Sequence, residues 1–162
     1  PWYYEHLKEA TLCDDLAWLT GKFPPTVRKP IGRLPSGKAV MALGDTAITY
    51  DPIAAQGANS ASKMAQHVLQ RIVQRDDQPF DAEWMTTVFE ECWEKDAQYA
   101  CAFTNALLEP ITPSVAAVLA AGATSSAIAG EFFSHMNNPR EYWPWLVDPK
   151  EAEKWVAERT TS

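Results

Sequence analysis

Apolar and polar positions divide this chain into a mixed front and a helical back, with Pro and Gly as punctuation. Over residues 2–19, Leu12, Leu16 and Leu19 recur at helical spacing with charges between them. Gly21 and the Phe23-Pro24-Pro25 turn end that pattern. Residues 26–31 read as a short strand before a Pro35-Ser36-Gly37 turn, and the unbroken apolar run 39–43 reads as a core strand stopping at Gly44. Asp45 then places a carboxylate at the strand mouth. The loop from Asp51 to Gln56 leads into Gly57-Ala58-Asn59 and a helix predicted from Ala58 to about Arg75. That helix start should point back toward Asp45. Free N–H groups and the positive end of the helix dipole collect there and stabilise negative charge on a bound group.

After a polar linker over residues 74–79, Asp81 is the expected cap of a long helix from Ala82 to about Leu108. Met85, Val88, Phe89, Cys92, Tyr99 and Phe103 return to one face of it. Pro110 and Pro113 end it. A second, Ala-rich helical stretch starts at Ser114, and the Phe132-Phe133 pair suggests close helix packing. The tail 142–146 and an amphipathic helix around Trp155 should close over the core.

With 162 residues, 46% hydrophobic and 22% charged, the chain can bury one core of useful size. A net charge of −7 with scattered Lys and Arg argues against a nucleic-acid footprint. Cys13, Cys92 and Cys101 form no even framework and no CxxC spacing, so buried free thiols in a reducing cytoplasm are expected. Residues 115–130 are too short and too polar to span a bilayer. His6, His67 and His135 lie on separate segments without metal-ligand spacing. Glu90, Glu91, Glu94 and Asp96, with Lys95 among them, read as a solvated face without an acid–base role. Trp84, Trp93, Trp143, Trp145 and Trp155 are core residues by default, with a substrate-pocket lining as the competing reading.

A Gly-Asp strand end is by itself an ordinary turn; its distance to Gln56-Gly57-Ala58-Asn59 makes it specific. Gly44-Asp45, Asp51-Pro52 and Gln56-Gly57-Ala58-Asn59 together resemble the second FAD fingerprint of the aromatic-hydroxylase-type flavoprotein monooxygenases, and above all the oxygenase component of the styrene and indole monooxygenases. Asp51 in place of the first residue of the commoner Pro-Pro pair favours that styrene-type branch. Ala55 stands where many relatives have glycine.

The resemblance implies an α+β, mostly α fold. Residues 1–75 would be the C-terminal portion of an FAD-binding domain and residues 76–162 a helical C-terminal lobe packed on it. No Gly-x-Gly-x-x-Gly is present, so the Rossmann-type domain is incomplete. With a chain opening at Pro1, the expectation is a C-terminal piece of a longer polypeptide, inactive alone. By position, Gly44 and Asp45 would hold the ribityl chain of FAD and Pro52 would pack at the flavin edge. Gln56, Gly57, Ala58 and Asn59 would face the pyrimidine edge and support anionic reduced flavin. No residue is expected as a catalytic acid or base, and no metal. The implied reaction inserts one oxygen atom from O2 into an apolar aromatic or alkene substrate through a C4a-(hydro)peroxyflavin. Reduced FAD would come from a separate, transiently met NADH-dependent flavin reductase; neither a nucleic acid nor a membrane is an expected partner, and a homodimer stays open. Two alternatives stand beside this one: a single-component FAD hydroxylase or oxidoreductase of the same fold, and a non-catalytic helical interaction module.

Overall fold

The computed structural model describes residues 2–11, 13, 14, 16 and 21–160, which are mostly helical with a few short strands. Helix α1 covers Trp2–Leu7. The helix expected over residues 2–19 is thus realised only at its start; Leu16 is 86% exposed, and Leu12 and Leu19 lie outside the described residues.

The strands make two separate antiparallel pairs. β1 (Thr26–Val27) lies against β4 (Ile48–Thr49), and β2 (Ile31–Arg33) against β3 (Ala39–Met41) with Gly32 opposite Val40. The β2–β3 turn closes through Leu34 N–H to the Lys38 carbonyl at 2.9 Å, and Gly37 takes φ +81°, a conformation that costs glycine little. The run 39–43 does not form a buried core strand. β3 stops at Met41 and has one strand neighbour, so alternate side chains face outward and Val40 and Leu43 remain 43% and 39% exposed. Met41 and Ala42 alone of this run pack on the core.

Helix α2 (Gly57–Val73) leads to the polar linker, where the Arg75 guanidinium donates to the Pro79 carbonyl at 2.7 Å and lies over the Trp84 ring. Asp81 Oδ1 accepts from Trp84 N–H at 2.9 Å and starts α3 (Ala82–Cys92), as its residue type predicts. A π turn, Trp93–Ala97, joins α3 to α4 (Gln98–Leu108). In an uninterrupted α-helix, residues nine apart point about 180° away from each other. The wider turn resets the phase, and Cys92 and Cys101 both enter one buried cluster. Tyr99 leaves the inner face and packs edge-on against Trp143.

Residues 115–130 form parts of two helices. α5 (Pro113–Thr124) is capped by Thr112, with Pro113 in its first turn; α6 (Ser126–Ser134) is capped by the Ser125 hydroxyl, which accepts from Ile128 N–H at 3.3 Å. The turn Pro139–Tyr142, α7 (Trp143–Val147) and α8 (Pro149–Thr160) complete the chain. Two buried clusters result. Ile48, Met64, Val68, Val88, Phe89 and Cys101 belong to the first; Phe103, Val115, Val118, Tyr142, Trp145 and Leu146 belong to the second. The Tyr142 hydroxyl donates to the Phe132 carbonyl, its ring stacked on Phe132. Among the described residues no single helix is long and apolar enough to cross a membrane.

Candidate functional site

Asp45 sits in a tight turn, Gly44–Thr46, laid on the first turns of α2. Gly44 makes this approach feasible: its φ is +55°, and a Cβ there would stand 3.3 Å from the Ala61 Cβ. The Asp45 carbonyl is held twice, by the Arg28 guanidinium and by the Thr49 hydroxyl, each donating at 3.0 Å. The Asp45 residue itself stays exposed, with Oδ1 3.8 Å from where a Cβ on Gly57 would lie. Asp45 and the start of α2 are therefore neighbours, as the sequence pattern predicts.

The loop between them is built from within. Asp51 is buried, and its carboxylate accepts from Ile53 N–H at 2.9 Å and Phe23 N–H at 3.0 Å. That fixes the short turn Pro52–Ala54, which leaves Pro52 and Ile53 at the surface. Ala55 follows in the left-handed conformation, φ 52° and ψ 28°. Gln56 is only 1% exposed, and its amide nitrogen donates to the carbonyls of Ala54 at 2.7 Å and Met136 at 2.8 Å. Its side chain points into the protein, away from the role of a surface ligand. No side chain caps α2; Ala58 is exposed, and Gly57 and Asn59 are half-buried.

Beneath this tip, Tyr50 Oη and Ser60 Oγ share a buried hydrogen bond of 2.8 Å. Burial pushes the Tyr50 hydroxyl well above its ordinary range and the neighbouring Cys101 thiol up to about 11. Tyr50, Ser60, Arg28 and Thr49 support the turn, and sequence reasoning missed all four. For Arg28 and Thr49 the only signal was their place on short strands either side of Gly44; for Tyr50 and Ser60 nothing local marks the pair.

Chemically, the arrangement offers a carboxylate acceptor on one side, uncapped backbone donors on the other, and the apolar surface of Pro52 and Ile53 between them in sequence. Such a set suits a ligand with hydroxyls at one end, an electron-rich edge at the other and a flat apolar body. The residues present thus fit the ribityl and ring portion of a flavin.

The acidic stretch on α3 and the π turn is more engaged than a solvated face. Glu91 meets His67 at 2.8 Å and Arg71 at 3.0 Å, and Asp96 meets Lys63 at 3.1 Å, so both carboxylates join these elements to α2. A cleft of about 520 Å³ runs along this face, lined by residues such as Lys63, His67, Lys95, Asp96, Asn138 and Arg140. Its lining is polar and contains none of the tryptophans. Trp84 and Trp145 are core residues, 8% and 2% exposed, whereas Trp143 is 42% exposed. Cys92 and Cys101 are buried free thiols, but Cys13 is exposed, contrary to expectation.

No protein-family model matches the chain. It is similar to two curated proteins, both described as styrene monooxygenase StyA. The one from a Pseudomonas species is 29% identical over 147 residues, covering 86% of this chain and 34% of the relative. The one from Pseudomonas fluorescens is 30% identical over 144 residues, covering 85% of this chain and 33% of the relative. The chain spans about a third of the length of the curated relatives it matches. These similarities support a relationship to flavin-dependent monooxygenases.

Proposed function

We propose that this chain supplies the ring-facing part of an FAD-dependent oxygenase that inserts one oxygen atom from O2 into an apolar aromatic or alkene substrate, as the styrene-type resemblance implies. The observation that carries the reading is the exposed carboxylate of Asp45 set against the uncapped start of α2. In this reading Gly44 and Asp45 hold the ribityl chain, with the carboxylate accepting from its hydroxyls. The N–H groups of Gly57, Ala58 and Asn59 meet the pyrimidine edge, where the helix dipole favours the negative charge of the reduced ring. Pro52 packs at the ring edge and helps exclude water. FAD, once reduced, supplies the oxygen activation, and the protein contributes binding, aim and dryness.

The two relatives' names fit this chemistry. The pyrophosphate half of FAD needs a Gly-x-Gly-x-x-Gly unit, which this chain lacks and other residues of the oxygenase would provide. A separate NADH-dependent flavin reductase would be the electron source. The test is Asp45→Ala in the full oxygenase polypeptide, with FAD binding followed by fluorescence. Loss of a charge-assisted hydrogen-bond acceptor is expected to raise the FAD Kd by roughly tenfold or more. An unchanged Kd in a folded variant would sink the assignment.

A further inference from the structure

We propose that Gln56 is a positioning residue: its side chain ties the start of α2 to the turn around Met136, and so aims the amides of Gly57, Ala58 and Asn59 without touching a ligand. The proposal rests on the flavin reading of that tip and deepens it. A primary amide has two N–H donors in a fixed planar fork. Both hydrogen bonds of the Gln56 nitrogen go to backbone carbonyls, one two residues back at Ala54 and one 80 residues ahead at Met136. The first bond holds the end of the Pro52–Ala54 turn, which Ala55 N–H closes onto the Pro52 carbonyl at 2.9 Å. The second reaches a stack of short turns, in which Met136 N–H donates to Phe133 at 3.2 Å and Asn138 N–H to His135 at 2.8 Å. That stack leads directly into buried Pro139 and Tyr142 of the second core cluster.

Gln56 also acts through its backbone. Its carbonyl accepts from Ser60 N–H at 2.8 Å, the first helical bond of α2. One residue therefore closes the first ring of the helix and fixes that ring to the opposite side of the molecule. A backbone amide directs its N–H along a line set by the helix axis, so a tilt of the first turn moves all three donors together. Holding that axis to the turn near Met136 makes the donors' aim depend on the position of the helical half. Binding at the tip and order at residues 133–141 are then coupled.

Gln56→Met keeps length and apolar bulk while removing both donors. The experiment compares wild type and this variant in the full oxygenase polypeptide, measuring FAD Kd, the bound-flavin absorption spectrum and peptide-level hydrogen exchange with and without saturating FAD. In wild type, FAD is expected to slow exchange over residues 52–60 and also over residues 133–141. In Gln56→Met the Kd should rise about tenfold, the flavin bands should shift, and FAD should no longer protect residues 133–141 even at saturation. Wild type that binds FAD without protecting residues 133–141 overturns the proposal, and so does a variant with wild-type Kd, spectrum and protection. The wild-type arm stands even where the variant fails to fold. Absence of FAD binding by wild type strikes the flavin reading instead, and faster exchange at residues 133–141 in the ligand-free variant then still reads out the tie.

Discussion

Ala55 holds the left-handed conformation that glycine adopts most cheaply, and its side chain is exposed. A Cβ there crowds the following carbonyl at a cost of about 1–2 kcal/mol, while glycine gives back roughly 0.5–1 kcal/mol through the freedom of the unfolded chain. Ala55→Gly should therefore stabilise the chain by up to about 1 kcal/mol, seen as a higher urea midpoint with an unchanged slope. A lower midpoint would show that the loop gains nothing from relief at this residue. The cysteines behave differently from one another. Burial first, and nearby carboxylates second, push the Cys92 thiol up to about 11; burial does the same to Cys101. Both folded values lie above the ordinary 9.0, so their contribution is complete below pH 9 and is lost as pH rises through about 11. Near neutral pH a disulfide-exchange reagent should label Cys13 quickly and reach the other two thiols only after unfolding. Rapid labelling of all three in the native chain would contradict their burial.

Between elements, the firmest polar tie among the described residues of the helical half is Glu131 on α6 to Arg159 on α8, 2.5 Å apart, with the guanidinium 4.1 Å over the Trp155 ring. The hydrogen bond from Arg159 holds the Glu131 carboxyl below its ordinary range. A depressed carboxylate stabilises above its unfolded pKa and loses that contribution as pH falls through the folded one. Exchange protection across α6 and α8 should drop on acidification, and Arg159→Met should flatten that dependence. In the second cluster Phe103 is 1% exposed, and Phe103→Ala is expected to cost about 3–5 kcal/mol in denaturant titration. The helices were largely readable beforehand because caps are local chemistry: Asp81 announces α3. Pro113 shows the limit of that rule, since a proline in the first turn moves the cap back to Thr112 where the residue pattern favoured Ser114. The apolar run 39–43 misled because composition records hydrophobicity and not the number of neighbouring strands.

Across the whole molecule, the Asp45–Gly57 juxtaposition was legible from spacing, because a glycine turn and a helix start thirteen residues on must meet if the helix packs back over the strand end. The inward turn of Gln56 was not, since its partner carbonyl lies 80 residues away. Nor was the π turn, which carries no Gly or Pro and exists because residues on both sides of it must reach packed surfaces. Those surfaces are the two buried clusters: α3 serves the first, while α4 contributes Ala100 and Cys101 to the first and Phe103 to the second.

The π turn also decides where the chain tolerates a change in length. Loss of one codon between positions 93 and 97 would convert it to an ordinary helix and swing everything downstream by about 100°, like a coupling remounted out of phase. Asp96 would part from Lys63, and Phe103 would turn out of its cluster. The same loss at Asp77, on the exposed bend after α2, is absorbed where it occurs. Thermal melts of the two single-residue deletions should separate by tens of degrees, with the shortened rod the casualty.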